Sequence, residues 1–231
     1  MSNTQMQGGF GGFRLAVRLS DGERLGAKVL RLSSHPDAKL NRKAWLKMRG
    51  QKKSPTGFSA WDQVRSELGL ARKVKSPLLP EALVKDEGKH KLYMFSKLCE
   101  GDLIDLHSAY GKVGADPEHR FELTMSMLCQ VGEALRAAHA EGIVHRDTKL
   151  ENILWTAKGK LLLADFGLAM GLGADGKVSG FSGTAGYIGE EAFGDEGYDA
   201  RFDMFGLGAT VVAFLFGETP FGDAGDRSHQ L

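Results

Sequence analysis

Cysteine is nearly absent. Cys99 and Cys129 are the only two in 231 residues, too few for a disulfide framework, and they read as free thiols of a reducing compartment. No cluster of His, Cys or Asp has zinc-ligand spacing. Long hydrophobic runs are missing as well. The longest nearly apolar stretch, Met204 to Phe216, has 13 residues, short of the roughly 20 that span a bilayer. Met1 to Gly12 is polar and glycine-rich with no hydrophobic segment, so no secretory signal is read there. Neither sign of charge dominates: 30 Lys and Arg face 29 Asp and Glu, for a net charge of +1. That balance argues against generic nucleic-acid binding. What remains is a globular composition, 42% apolar and 26% charged, in a chain long enough for one large domain or two small lobes. The expected location is the cytoplasm.

The pattern changes along the chain. Phe13, Leu15, Val17 and Leu19 alternate with Arg14, Ala16 and Arg18, which predicts a strand. Asp21-Gly22 is a turn signal, and Leu25 to Leu32 resumes the apolar rhythm, so a hairpin follows the cluster Gly8-Gly9-Phe10-Gly11-Gly12. Residues 38–53 hold seven Lys or Arg and no acid. They read either as a solvated face or as a docking patch for an acidic partner or anionic lipid. Trp61 to Val74 reads as a helix with Val64, Leu68 and Ala71 on one face and Pro77 beyond its end. Residues 81–84 and 91–95 read as strands. After them, Asp116-Pro117-Glu118 opens a helix whose expected buried stripe is Phe121, Leu128, Val131, Leu135 and Ala138, with Gly142 as its stop. Asn152 to Trp155 and Leu161 to Ala164 read as short strands. Glycine-rich loop follows to about Tyr198, then a helix from Asp203 to Phe216 that is apolar on nearly all sides.

The strongest chemical signal is His145-Arg146-Asp147-Thr148-Lys149-Leu150-Glu151-Asn152, with Asp165-Phe166-Gly167 beginning 18 positions after Asp147. From about Met6 to Phe221 the sequence resembles the eukaryotic-type protein kinase family. The resemblance implies an α+β, two-lobed protein-kinase-like fold: a β-rich N-lobe over 1–95 with a basic insertion at about 35–57, a hinge at 96–101, and a helical C-lobe over 102–231. It implies ATP and Mg2+ as cofactors and a protein substrate phosphorylated on Ser or Thr. Phosphoryl transfer is mostly positioning and charge neutralisation. Asp147 matches the carboxylate beside the attacking hydroxyl. Lys149 matches the cation on the transferring phosphate, at a spacing closer to Ser/Thr than to Tyr kinases. Asn152 and Asp165 match the oxygen ligands of the metal. Lys28, in Leu25-Gly26-Ala27-Lys28-Val29, matches the family's strand lysine. Glu67, on the first predicted helix, matches its carboxylate partner.

For the nucleotide, Gly8 and Gly11 match the second and third glycines of the family's G-x-G-x-x-G loop, with Gly9 beside them. The first position falls on Met6. The hinge adds Lys97 and Cys99 as candidate nucleotide contacts. Asp203 matches the aspartate that holds the catalytic loop through its backbone amides. Of the family's Ala-Pro-Glu triplet only Glu191 is present. Arg146 is placed to pair with a phosphate in the segment after Asp165, with Ser179 and Ser182 as candidate acceptors; the segment's many glycines leave a constitutively settled loop as the alternative. Leu231 comes soon after Pro220-Phe221, which implies a C-lobe without the family's final helices, as in minimal bacterial effector kinases delivered into host cells. Such a C-lobe leaves Met204 to Phe216 in need of cover, by local repacking with Phe193, Phe202 and Phe221 or by an activating or docking protein partner. Glu191 then needs a new cation, Arg201 or Arg227. Two other classes stay open on sequence. One is a kinase fold acting by contact after losing catalysis, which the glycine-loop and Ala-Pro-Glu departures favour. The other is a small-molecule phosphotransferase of the aminoglycoside or choline kinase type, whose loops lack the Lys149 spacing.

Overall fold

Residues 6–8, 11–31, 60–77, 82–86, 91–113 and 116–221 are described by the structure, a computed structural model. The basic stretch 38–53, Gly9 and Arg227 lie outside them. Five strands form one antiparallel sheet: β1 (Met6–Gly8), β2 (Gly11–Val17), β3 (Arg24–Arg31), β4 (Ala82–Asp86) and β5 (Lys91–Lys97), in the order β1-β2-β3-β5-β4. The β2–β3 turn closes where Asp21-Gly22 predicts it. Gly22 takes φ 76°, which a residue without Cβ adopts freely, and the Asp21 carboxylate accepts the Glu23 amide at 3.0 Å. The alternation of β2 holds, but Leu15 and Val17 open outward rather than into a core. Register puts them on the side that carries Lys28, since Phe13 stands opposite Lys28 and Leu15 opposite Gly26.

Four helices are described: α1 (Ala60–Lys73), α2 (Leu103–Val113), α3 (Pro117–Ala140) and α4 (Arg201–Phe216). Short strands lie among them. β6 (Gly101–Asp102), β8 (Ile153–Trp155) and β9 (Leu161–Leu163) form one sheet, and β7 (Ile143–Val144) pairs with β10 (Met170–Gly171). The fold is the expected one, a β-sheet N-terminal part followed by a helical part. α1 joins them: Ala71 packs with Ala138, Ile143, Phe166 and Ala169.

α3 starts as predicted, with the Asp116 carboxylate accepting the Glu118 amide at 3.1 Å. Its inward face keeps Val131, Leu135 and Ala138 of the predicted stripe but not Phe121 and Leu128. Thr124, Met127, Val131, Leu135 and Ala138 are buried, while Phe121 is 63% exposed and Leu128 lies on the outer side. Thr124 can enter the core because its hydroxyl donates to the Arg120 carbonyl at 2.8 Å. That polar residue masks the true 3.6-residue period. Asp116→Ala removes the cap and is expected to cost about 1 kcal/mol, a fall in Tm of about 2–4 °C by thermal melting.

α4 is less enclosed than its composition predicts. Phe202, Leu207, Ala213 and Phe214 are buried, but Met204 is 49% and Phe216 73% exposed among the described residues. Phe221 stacks on Phe205 at 5.8 Å, so part of the expected repacking is present. Phe193 instead pairs with Phe181 at 5.2 Å on the surface.

Candidate active site

Lys28 projects from the middle of β3, where neighbouring strands on both sides keep the backbone rigid. Its ammonium donates to Glu67 Oε1 of α1 at 2.8 Å and to Asp165 Oδ1 at 2.9 Å. The apolar face of α1 positions Glu67, which is buried next to Leu68 and Ala71. Asp165 sits in the left-handed region at φ 60°, and its Oδ1 also accepts the Gly167 amide at 3.1 Å. Burial opposes the charge on Lys28, but the Asp165 and Glu67 carboxylates outweigh it and hold the ammonium above its ordinary pKa. Asp165 is held below the usual carboxylate range: burial works against this, and the Lys28 charge and hydrogen bonds win. Glu67 is pushed up by burial, with Lys28 opposing. One cation is thus shared by two carboxylates, of which Asp165 is the more firmly ionised.

A second constellation surrounds Asp147. Its Oδ2 accepts Asn152 Nδ2 at 2.8 Å and lies 3.2 Å from Lys149 Nζ. Its Oδ1 accepts the Thr184 hydroxyl at 2.7 Å, and Thr184 in turn accepts from Lys149 at 2.7 Å. Both carboxylate oxygens are therefore fixed in direction. Thr184 reaches the loop because Gly183, at φ 117°, passes so close that an added Cβ would meet the Arg146 carbonyl at 2.8 Å. No residue with a side chain fits there.

The loop bearing Asp147 is held from below. Asp203, 1% exposed, accepts the Arg146 amide on Oδ1 and the His145 amide on Oδ2, each at 2.7 Å. His139 Nε2 lies 2.8 Å from the same Oδ2. Asp203 is not the cap of its own helix, since Ala200 holds that position without a side-chain bond. His145 is fully buried. Its Nε2 meets the Ala164 carbonyl at 2.9 Å and its ring packs edge-on against Phe166 at 5.0 Å, which ties the two motifs together.

The structure thus brings Lys28, Glu67 and Asp165 into one cluster and Asp147, Lys149 and Asn152 into another. Gly8 and Gly11 face each other across the β1–β2 turn. Lys97 ends β5 and Cys99 follows it, and neither enters the hydrogen-bonded clusters. His139 and Tyr198 are the contacts that motif spacing does not reveal, whereas Thr184 stands out in the sequence as a structural residue near the substrate. Arg201 pairs with Asp199 at 2.7 Å rather than with Glu191.

The donor set suits Mg2+ and phosphate. Asn152 commits its Nδ2 to Asp147, leaving the amide oxygen as the atom able to meet a cation. Lys28 and Gly167 both use Asp165 Oδ1, leaving Oδ2. Among the described residues no group of three or more His, Cys, Asp or Glu could hold a metal. A pair of hard oxygen donors is what a cation retaining water and phosphate oxygens requires.

The family model described as Protein kinase domain matches residues 7–231. CBL-interacting protein kinase 1 of Oryza sativa subsp. japonica is 28% identical over 228 residues, 96% of this chain and 44% of its own length. Serine/threonine-protein kinase Sgk1 of Danio rerio is 30% identical over 217 residues, 93% of this chain and 44% of that protein. Serine/threonine-protein kinase PEPKR2 of Arabidopsis thaliana is 39% identical over 136 residues, 58% and 27% of the two chains. The chain spans less than half the length of these curated relatives.

Proposed function

The chain belongs to the protein kinase family, and from that premise we propose that it transfers the γ-phosphate of ATP to Ser or Thr hydroxyls of a protein. The observation that carries this reading is the closed set of bonds around Asp147, with Lys149 and Thr184 on one side and Asn152 on the other. In this reading Asp147 orients the attacking hydroxyl and accepts its proton. Lys149 supplies positive charge at the transferring group. Lys28, steadied by Glu67, holds the α and β phosphates. Asn152 and Asp165 hold Mg2+, which when bound neutralises the phosphate oxygens. In this reading Gly8 and Gly11, paired across β1 and β2, offer backbone N–H groups to the phosphates, and Lys97 and Cys99 border the nucleotide; Gly9 lies outside the described residues. No described helix is long and apolar enough to cross a membrane. Two partner proposals go with this reading: a docking or activating protein on the open side of α4, and an acidic partner for residues 38–53.

The test offers labelled ATP and Mg2+ with mixed protein substrates and with small alcohols such as choline and an aminoglycoside. Label on Ser or Thr of protein supports the kinase reading, and label on an alcohol replaces it with a small-molecule phosphotransferase. Nucleotide binding without any transfer leaves a binding module, the reading favoured by Met6 at the first glycine position. Lys28→Met is expected to lower transfer about a hundredfold by misplacing the phosphates.

A further inference from the structure

Among the described residues Arg146 is the largest fully enclosed side chain, at 1% exposure, and none of its side-chain hydrogen bonds there goes to a carboxylate. Its Nε donates to the Leu168 carbonyl at 2.8 Å, just after Asp165-Phe166-Gly167. Its Nη1 donates to the Tyr198 hydroxyl at 3.2 Å, and that hydroxyl donates onward to the Gly180 carbonyl at 3.0 Å. Nη2 has no partner. A buried guanidinium needs its donors met, because desolvation of each unmet donor is costly.

Tyr198 is well placed for more than filling space. Its backbone exchanges hydrogen bonds with Val178 in both directions, at 2.8 and 2.9 Å. Its ring stacks on Phe202 at 4.4 Å in the first turn of α4, one residue from Asp203. One phenol therefore joins the catalytic loop, the middle of the Asp165–Glu191 segment and the helix that carries Asp203. The predicted phosphate acceptors do not fit around it. Ser182 is 0% exposed with an unpartnered hydroxyl, and Gly180, which Tyr198 grips, has no side chain. Ser179 is exposed, whereas Arg146 is enclosed. The turn before it is closed by its own bonds: Gly173 N to Lys177 O at 2.8 Å, and Lys177 N to Asp175 Oδ1 at 3.1 Å.

We propose that Tyr198 is a positioning residue that holds Arg146 and the segment bearing Thr184 in working order without segment phosphorylation. The phenol supplies the neutral acceptor and onward donor that a phosphate would otherwise provide as an anion. The proposal rests on the kinase reading for its activity arm, and a second arm does not depend on it.

The full chain is treated with a broad phosphatase, its mass is checked, and transfer is measured. Undiminished activity is expected, and loss of activity on dephosphorylation overturns the proposal. Tyr198→Phe keeps the ring on Phe202 and removes only the hydroxyl. It is expected to lower kcat about tenfold or more while KM for ATP stays within about twofold, and Tm should fall by about 2–10 °C because the buried Nη1 of Arg146 loses its acceptor. Hydrogen exchange is the independent arm. Amides of 178–186 should exchange faster in Tyr198→Phe, while phosphatase leaves those of the parent unchanged. A variant with parental kcat and parental exchange overturns the proposal. If the parent transfers no phosphate, the kinase reading fails and the exchange result alone decides the role of Tyr198.

Discussion

Asp147→Ala is expected to lower phosphoryl transfer by about a thousandfold, the scale of a lost general base. Among the described residues the carboxylate is the only group that meets Asn152, Lys149 and Thr184 together, at 2.8, 3.2 and 2.7 Å. In the proposed reading the group that aligns the incoming hydroxyl and takes its proton is then missing, and among the described residues Lys149 and Thr184 keep the bond to each other. Nucleotide affinity should change by about twofold at most, because Lys28, Glu67 and Asp165 form a separate cluster. Single-turnover rates and equilibrium Mg-ATP binding on the same preparation separate the two effects. A rate within tenfold of the parent would remove Asp147 from the reaction.

The largest stability effect should come from Asp203→Ala. Its two oxygens receive two main-chain amides and one imidazole, all within 2.8 Å, at a site with almost no access to water. Arg146 also sits at φ 68°, a conformation that costs a side-chain-bearing residue about 1 kcal/mol or more and must be held by its surroundings. Deleting the acceptor strands two buried N–H groups and leaves the His139 ring nitrogen without its carboxylate. About 3–5 kcal/mol is the expected loss, read as a drop in Tm of about 10 °C or more. Asp203→Asn offers one acceptor oxygen instead of two, and should fall between. A melt of Asp203→Ala within about 1 kcal/mol of the parent would contradict this account.

The sequence revealed those parts of the fold and site whose cause is local. Asp116-Pro117 announces a helix because the cap and the ring act within one turn. Asp21-Gly22 announces a hairpin for the same kind of reason. That Asp147, Lys149 and Asn152 come together was legible because they stand within one short loop; their roles in phosphoryl transfer belong to the proposed function. What stayed hidden depends on contacts across the chain. Val131, Leu135 and Ala138 were legible in α3, but the first turns of its inward face were not, because Thr124 satisfies its own hydroxyl and passes for a surface residue. Ser182 looked like an open phosphate acceptor, and its enclosure follows from packing that spacing does not encode. Arg146 looked like a free cation, and its phenol partner lies 52 positions away.

The ammonium of Lys28 is held by partners 39 and 137 positions along the chain. The two bonds are nearly equal in length but unequal in their cost of assembly. Closing the longer loop costs about 1 kcal/mol more in chain entropy. The β3–α1 bond therefore belongs to the first part of the molecule alone, and the bond to Asp165 can form only once the second part has built the left-handed turn that presents it. The Lys28–Glu67 pair is thus a property of the first part of the molecule, whereas the three-membered cluster with Asp165 depends on how the two parts meet.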